Sequence, residues 1–264
     1  MNASVDFMGR TRSLIVIELE RAWRTRTTWV LAGAMVVVTA LVTFGATHQA
    51  ALPGSGTAAG AATTAAAVAP PVQELRMVLS GIAALRIFVV LLGILCVTTE
   101  YQHGDIVWRF LAEPSRAVVI AAKAGACAVI GALLGIVTLQ IGTLIEIGFG
   151  GPGATFGLSS GEAIHAVAGA VLSAALAGVL GVGIGAAVRN QTAAVVGALV
   201  GVLLVEPMLG ALVPRLSAYL PTAAAAAASG HAAALGWLGG LILSFAYAAL
   251  AVVGGSVLCI RRDV

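Results

Sequence analysis

Along this chain, apolar residues fall into six runs of about 20, the length that spans a bilayer's hydrocarbon core as a helix, separated by short polar or glycine-rich strips. The runs cover 28–47, 77–99, 118–146, 163–188, 192–213 and 236–260. Ahead of the first run, residues 10–26 predict an amphipathic helix lying on the membrane surface. At 100° per residue Ile15, Val16, Leu19, Ala22 and Trp23 share one arc, while Ser13, Glu18, Glu20, Arg21 and Arg24 lie off it. Trp23 and Trp29 sit where aromatic side chains anchor at the lipid boundary. The pattern predicts an all-α membrane protein of about six transmembrane helices with an N-terminal interfacial helix. Residues 1–27 form the cytoplasmic helix segment, and 28–264 a six-span domain with a cytoplasmic loop at 100–117.

Composition makes a water-soluble fold untenable. Of 264 residues, 60% are hydrophobic and 9% charged, against about 25% charged in soluble domains. The placement of charge then orients the chain. Of the 14 Lys and Arg, Arg10, Arg12, Arg21, Arg24, Arg26, Arg109, Arg116, Lys123, Arg189, Arg261 and Arg262 fall on strips that alternate to one side. Arg76 and Arg215 fall on the other, and Arg86 lies within a span. By the positive-inside rule both termini are cytoplasmic. The stretches 48–71 and 148–161 are then external, as is an Ala-rich segment that includes a possible re-entrant helix pair between Ser217 and Leu235. Glu18, Glu20 and the early arginines precede an apolar run too long for a signal-peptide core, so no cleavable leader is expected. Lys123, near the inner end of the third span, is expected to snorkel toward the headgroups.

Few residues suggest chemistry. The only lysine, Lys123, lies between Ala122 and Ala124, so the chain has no Walker A motif and is not expected to hydrolyse ATP by itself. Cys96, Cys127 and Cys259 show no paired spacing and predict free thiols. His48, His103, His165 and His231 are scattered, and neither a metal site nor a catalytic residue is expected. Residues Gly157 to Gly161 spell GxSxG with His165 nearby, but in a glycine-rich turn rather than at a strand-to-helix elbow. Basic residues that flank spans point to membrane orientation rather than to nucleic acid.

Two sets of residues within spans stand out. Gly131 with Gly135, Gly181 with Gly185, Gly197 with Gly201, and Gly236 with Gly240 have GxxxG spacing, which predicts close helix packing. Arg86 lies nine residues after Met77 and Glu206 seven before Val213, roughly 13 and 10 Å from the outer ends of their spans, so they are candidates for an intramembrane pair. Pro207 should kink the fifth span.

Between the second and third spans, Glu100, Gly104, the run Pro114, Ser115, Arg116, and Lys123 fall at the spacing seen in permease subunits of type-2 ATP-binding-cassette (ABC) exporters, which this sequence resembles. One departure is Asp105, where that family more often has threonine. The helix carrying Glu18, Arg21 and Arg24 is similar to the family's connecting helix. The resemblance implies that Glu100, Gly104, Asp105, Arg109, Glu113, Pro114 and Arg116 belong to a coupling segment that docks on a separate ABC ATPase, where ATP and magnesium would bind. It also implies a dimer, with a second copy or a related permease, export rather than import, and a multi-pass place in a bacterial cell membrane. Two alternatives are a secondary transporter, for which Pro207 is the one plausible helix break and no repeat is evident, and a non-transporting assembly or sensor subunit.

Overall fold

A computed structural model describes residues 14–50, 70–103, 116–149, 161–229 and 235–261, with side chains throughout these ranges except at 46–50, 70–85, 116, 146, 162, 163, 260 and 261. The described residues contain helices and no strand. In order they are α1 (14–24), α2 (Arg26–Ala50), α3 (Pro70–His103), α4 (Arg116–Phe149), α5 (Gly161–Val188), α6 (Gln191–Leu212), α7 (Pro214–Ser217), α8 (Pro221–Ala228) and α9 (Gly236–Arg261). Five of them (α2, α4, α5, α6 and α9) carry stretches long and apolar enough to cross a membrane. The remaining expected span falls on α3, which has 34 residues. The chain is an all-α membrane protein.

Side-chain size is sorted as a bilayer requires. Leu144, Leu203, Leu204, Met208, Ile242, Phe245 and Leu250 point outward, each at least 63% exposed, whereas the interior is largely Ala, Gly and Val. Lipid tails are as apolar as leucine, so such helices gain association energy chiefly from close van der Waals contact. Helix α5 is the hub. Its Gly181 meets Gly93 of α3, a Cβ on either falling 3.0 Å from the other's Cα, and a Cβ on Gly178 would fall 2.5 Å from the Cys127 carbonyl oxygen of α4. Several threonines in the spans are satisfied locally. Thr39, Thr98, Thr138 and Thr143 donate to carbonyls four residues back, as hydrocarbon surroundings demand.

The glycine pairs divide. Gly131 and Gly135 pack on Ala174, and Gly185 joins Gly181 against α3. Gly240 packs on α8, but its expected partner Gly236 has φ +63° and open space around it, so it serves the helix start rather than a seam. Gly197 and Gly201 also face open space. They lie on α6, most of which is uncovered by the rest of the chain.

The expected break at Pro207 takes a particular form. Residues Gly201–Val205 wind as a π turn, and the backbone N–H of Glu206 donates to the Gly201 carbonyl. Proline cannot donate to the carbonyl four residues back and its ring crowds it, and the widened turn relieves both problems. At the other end of α6, Arg189 adopts φ 56° and the Asn190 side chain caps Ala193 N–H, giving the tight turn expected there.

Candidate functional site

Four of the charged residues singled out in sequence, Glu18, Arg21, Glu100 and Lys123, converge where α3 ends and α4 begins. Thr25 alone separates α1 from α2. Its hydroxyl donates to the Ala22 carbonyl and bonds the Thr28 hydroxyl at 2.9 Å. The Trp29 Nε1–H reaches back to the Trp23 carbonyl at 2.8 Å, and the two indoles meet edge to face with centroids 4.8 Å apart. This corner lays α1 back across the bundle. Val16, Ile17 and Trp23 point away from it, each more than half exposed, as suits an interfacial helix.

The inward face of α1 differs from expectation. Glu18, which the helical arc leaves among the polar positions, is buried at 4% exposure, while Val16 of the apolar arc is 52% exposed. The cause is Lys123. Instead of snorkelling, it is 1% exposed and donates to Glu18 Oε2 at 3.0 Å and to Glu100 Oε1 at 2.7 Å. Arg21, one turn beyond Glu18, also reaches Glu100 Oε1, at 3.0 Å. The four charges sum to zero, so none of the buried members lacks an opposite charge at bonding distance. Buried ions are tolerable only under that condition. Ile15 packs over Gly125, where a Cβ would fall 2.9 Å from the isoleucine Cδ1, and this lets α1 settle low enough for Glu18 to reach the lysine.

A second polar knot at the same end joins Tyr101 to Arg189 and Cys259, which the sequence marks only as an orienting charge and a free thiol. Arg189 lies 5.3 Å above the Tyr101 ring and donates to the Cys259 carbonyl at 3.2 Å. The Tyr101 hydroxyl bonds Cys259 Sγ, also at 3.2 Å. Burial, aided by that contact, pushes the phenol above its ordinary pKa. The ends of α3 and α9 and the α5–α6 turn are thereby tied together.

Beside the first cluster lies a cavity of about 320 Å³ between α1, the start of α2 and α3, lined by Arg21, Thr28, Leu92, Cys96, Glu100 and His103 among others. Arg24 is exposed. Gly104, Asp105, Arg109, Glu113 and Pro114 lie outside the described residues, as does the side chain of Arg116, and so does the GxSxG match up to Ser160. His165 stacks on Trp237 at 4.6 Å. All three cysteines are free thiols. Among the described residues no three His, Cys, Asp or Glu side chains gather in a way that could hold a metal ion.

Arg86 and Glu206 do not meet. They address opposite ends of one short helix. Glu206 accepts from the backbone N–H of Thr222 at 3.1 Å and from the Thr222 hydroxyl, in the first turn of α8. Arg86 Nη2 donates to the Ala225 carbonyl at 2.5 Å and to Ser229 Oγ at 2.7 Å, at the other end. An anion at the N-terminus and a cation at the C-terminus both complement the helix dipole and its unpaired backbone groups. Both charges therefore find partners on α8 rather than on each other. In the segment Ser217 to Leu235, where a re-entrant helix pair is expected, the described residues contain one helix, α8, and residues 230–234 lie outside them. Gly169, roughly 12 Å along α5, and Gly240, roughly 6 Å along α9, lie against α8 backbone, so α8 is sunk between the spans.

No family model matches this chain, and no curated protein matches it.

Proposed function

We propose that this chain is the membrane-spanning permease subunit of an ATP-driven exporter, acting as a dimer and coupled to a separate ATPase through residues 100–116. The observation that carries the reading is the buried cluster of Glu18, Arg21, Glu100 and Lys123. It joins the surface helix α1 to the last turn of α3 and the second turn of α4, the two helices between which the 104–115 strip runs. With the Tyr101, Arg189 and Cys259 knot beside it, a push on that strip would move several spans together. A solvated loop would need no such bracing. The open face of α6 at Gly197 and Gly201 suits close approach by a second subunit.

The test is purification of the tagged chain from its native membrane followed by reconstitution into vesicles. The reading requires that an ATP-hydrolysing subunit co-purify and that efflux of an amphiphile depend on ATP. ATP-independent flux driven by an ion gradient would sink it. That outcome would favour a secondary transporter, the reading to which the π turn beside Glu206 and the short charged-ended helix α8 lend some support.

A further inference from the structure

We infer that Arg86 is the recognition point for the anionic headgroup, a carboxylate or phosphate, of an amphiphilic molecule, and that α8 covers this point until it shifts. Arg86 is 7% exposed, and its Nη2 makes both of the bonds described above. Its Nε and Nη1 are buried and, among the described residues, have no hydrogen-bond partner. Three N–H groups of one guanidinium thus go unused where water is scarce, since Nε carries one and Nη1 two. Among the described residues its acceptors, both on Nη2, are a carbonyl and a hydroxyl, which are dipoles and do not neutralise the positive charge. Lys123, also a buried cation, has two carboxylates on one ammonium. The chain therefore neutralises a buried charge fully where the arrangement is a brace. Among the described residues it does not do so at Arg86.

An uncompensated cation at this depth is costly, and an oxyanion would relieve the cost by accepting from the unused edge of the guanidinium in a fork. The surroundings choose an anion that carries an apolar chain over a free one. Ala224, Ala225, Ala227 and Ala228 of α8, and Val89 and Val90 one turn beyond Arg86, are all buried. Access requires α8 to move, and its packing suits that. It meets α5 and α9 through alanines and through Gly169 and Gly240, a smooth surface without interlocking long side chains. Its polar ties are the Glu206 contact at one end and the Arg86 contact at the other. As a statement about cargo this rests on the permease reading, but binding is measured on the chain alone, so either can fail without the other.

The experiment titrates the purified chain in dodecyl maltoside with dodecyl phosphate, dodecanoate or inorganic phosphate, and follows the melting temperature by tryptophan fluorescence. Both amphiphiles should raise it saturably. Arg86→Gln should weaken their binding by about tenfold or more, the worth of a charge-assisted hydrogen bond, and Arg86→Lys should retain more of it than glutamine does. Ser229→Ala keeps the charge and loosens its tie to α8, so it should bind the amphiphiles more tightly, which keeps the test decisive even if Arg86→Gln does not fold. Equal binding by wild type and Arg86→Gln, weaker binding by Ser229→Ala, or an equal effect of inorganic phosphate at the same concentration would each overturn the inference.

Discussion

Replacing Lys123 with methionine removes the cation shared by Glu18 and Glu100 while nearly preserving side-chain volume. At 2.7 and 3.0 Å, each contact is worth about 5 to 6 kcal/mol of Coulomb attraction at an effective dielectric of about 20, most of it offset by the cost of burying the charges. Their net worth is therefore small, but removal of one member is not. Two carboxylates that are each about 4% exposed would remain close together, and breaking a buried pair in this way costs about 3–5 kcal/mol. Because Lys123 is a contact by which α4 holds Glu18 of α1, the penalty should appear in the docking of α1. Hydrogen exchange of the α1 amides measures this directly. In Lys123→Met they should exchange about a hundredfold to a few thousandfold faster than in wild type, with little change in α5. Adding Glu18→Gln should restore most of the protection. Protection in Lys123→Met within threefold of wild type, or no rescue by the second substitution, would refute the brace.

Other outcomes follow from the packing and the charge pattern. Gly169→Val should prevent folding or cost more than about 3 kcal/mol in thermal unfolding, because any Cβ there runs into the Ala228 carbonyl. By contrast, Gly197→Ala has open space and should stabilise by up to about 1 kcal/mol through helix propensity. If the chain self-associates as proposed, leucine at both Gly197 and Gly201 should weaken cross-linking between copies and leave monomer melting unchanged, whereas unaltered cross-linking would remove α6 from the proposed dimer seam. Cysteines placed at Gly56 or Gly153 should label from outside the cell and those at Gln102 or Gln191 from inside only, and outside labelling at Gln102 would overturn the orientation.

Much of the architecture was legible because bilayer thickness imposes one length on every span, so the runs at 163–188 and 236–260 foretell α5 and α9 to within a few residues. Pairings across the bundle were not legible to the same degree. Lys123 and Glu18 are 105 positions apart, and no local period shows that a lysine on α4 turns a glutamate of α1 inward against its own amphipathic pattern. The GxxxG spacing marks backbones able to approach closely but not which face is covered, so Gly181 and Gly185 pack while Gly197 and Gly201 do not. Arg86 and Glu206, expected as candidates for a pair, reach opposite ends of α8 instead. Their partners were missed because an alanine-rich helix displays no charge, and its dipole and backbone groups are invisible in a list of side chains.

The central claim is that the strip after Glu100 meets an ATPase, and a photo-reactive residue in place of Arg109 tests it most directly. Irradiation in native membranes followed by mass spectrometry of the cross-linked product should identify a subunit that binds and hydrolyses ATP. The same probe at Gly153 should yield no such product, and Asp105→Lys with Glu113→Lys should abolish the Arg109 cross-link while membrane insertion persists. Cross-linking at Arg109 to lipid alone, or an undiminished ATPase product in the charge-reversed strip, would contradict the account.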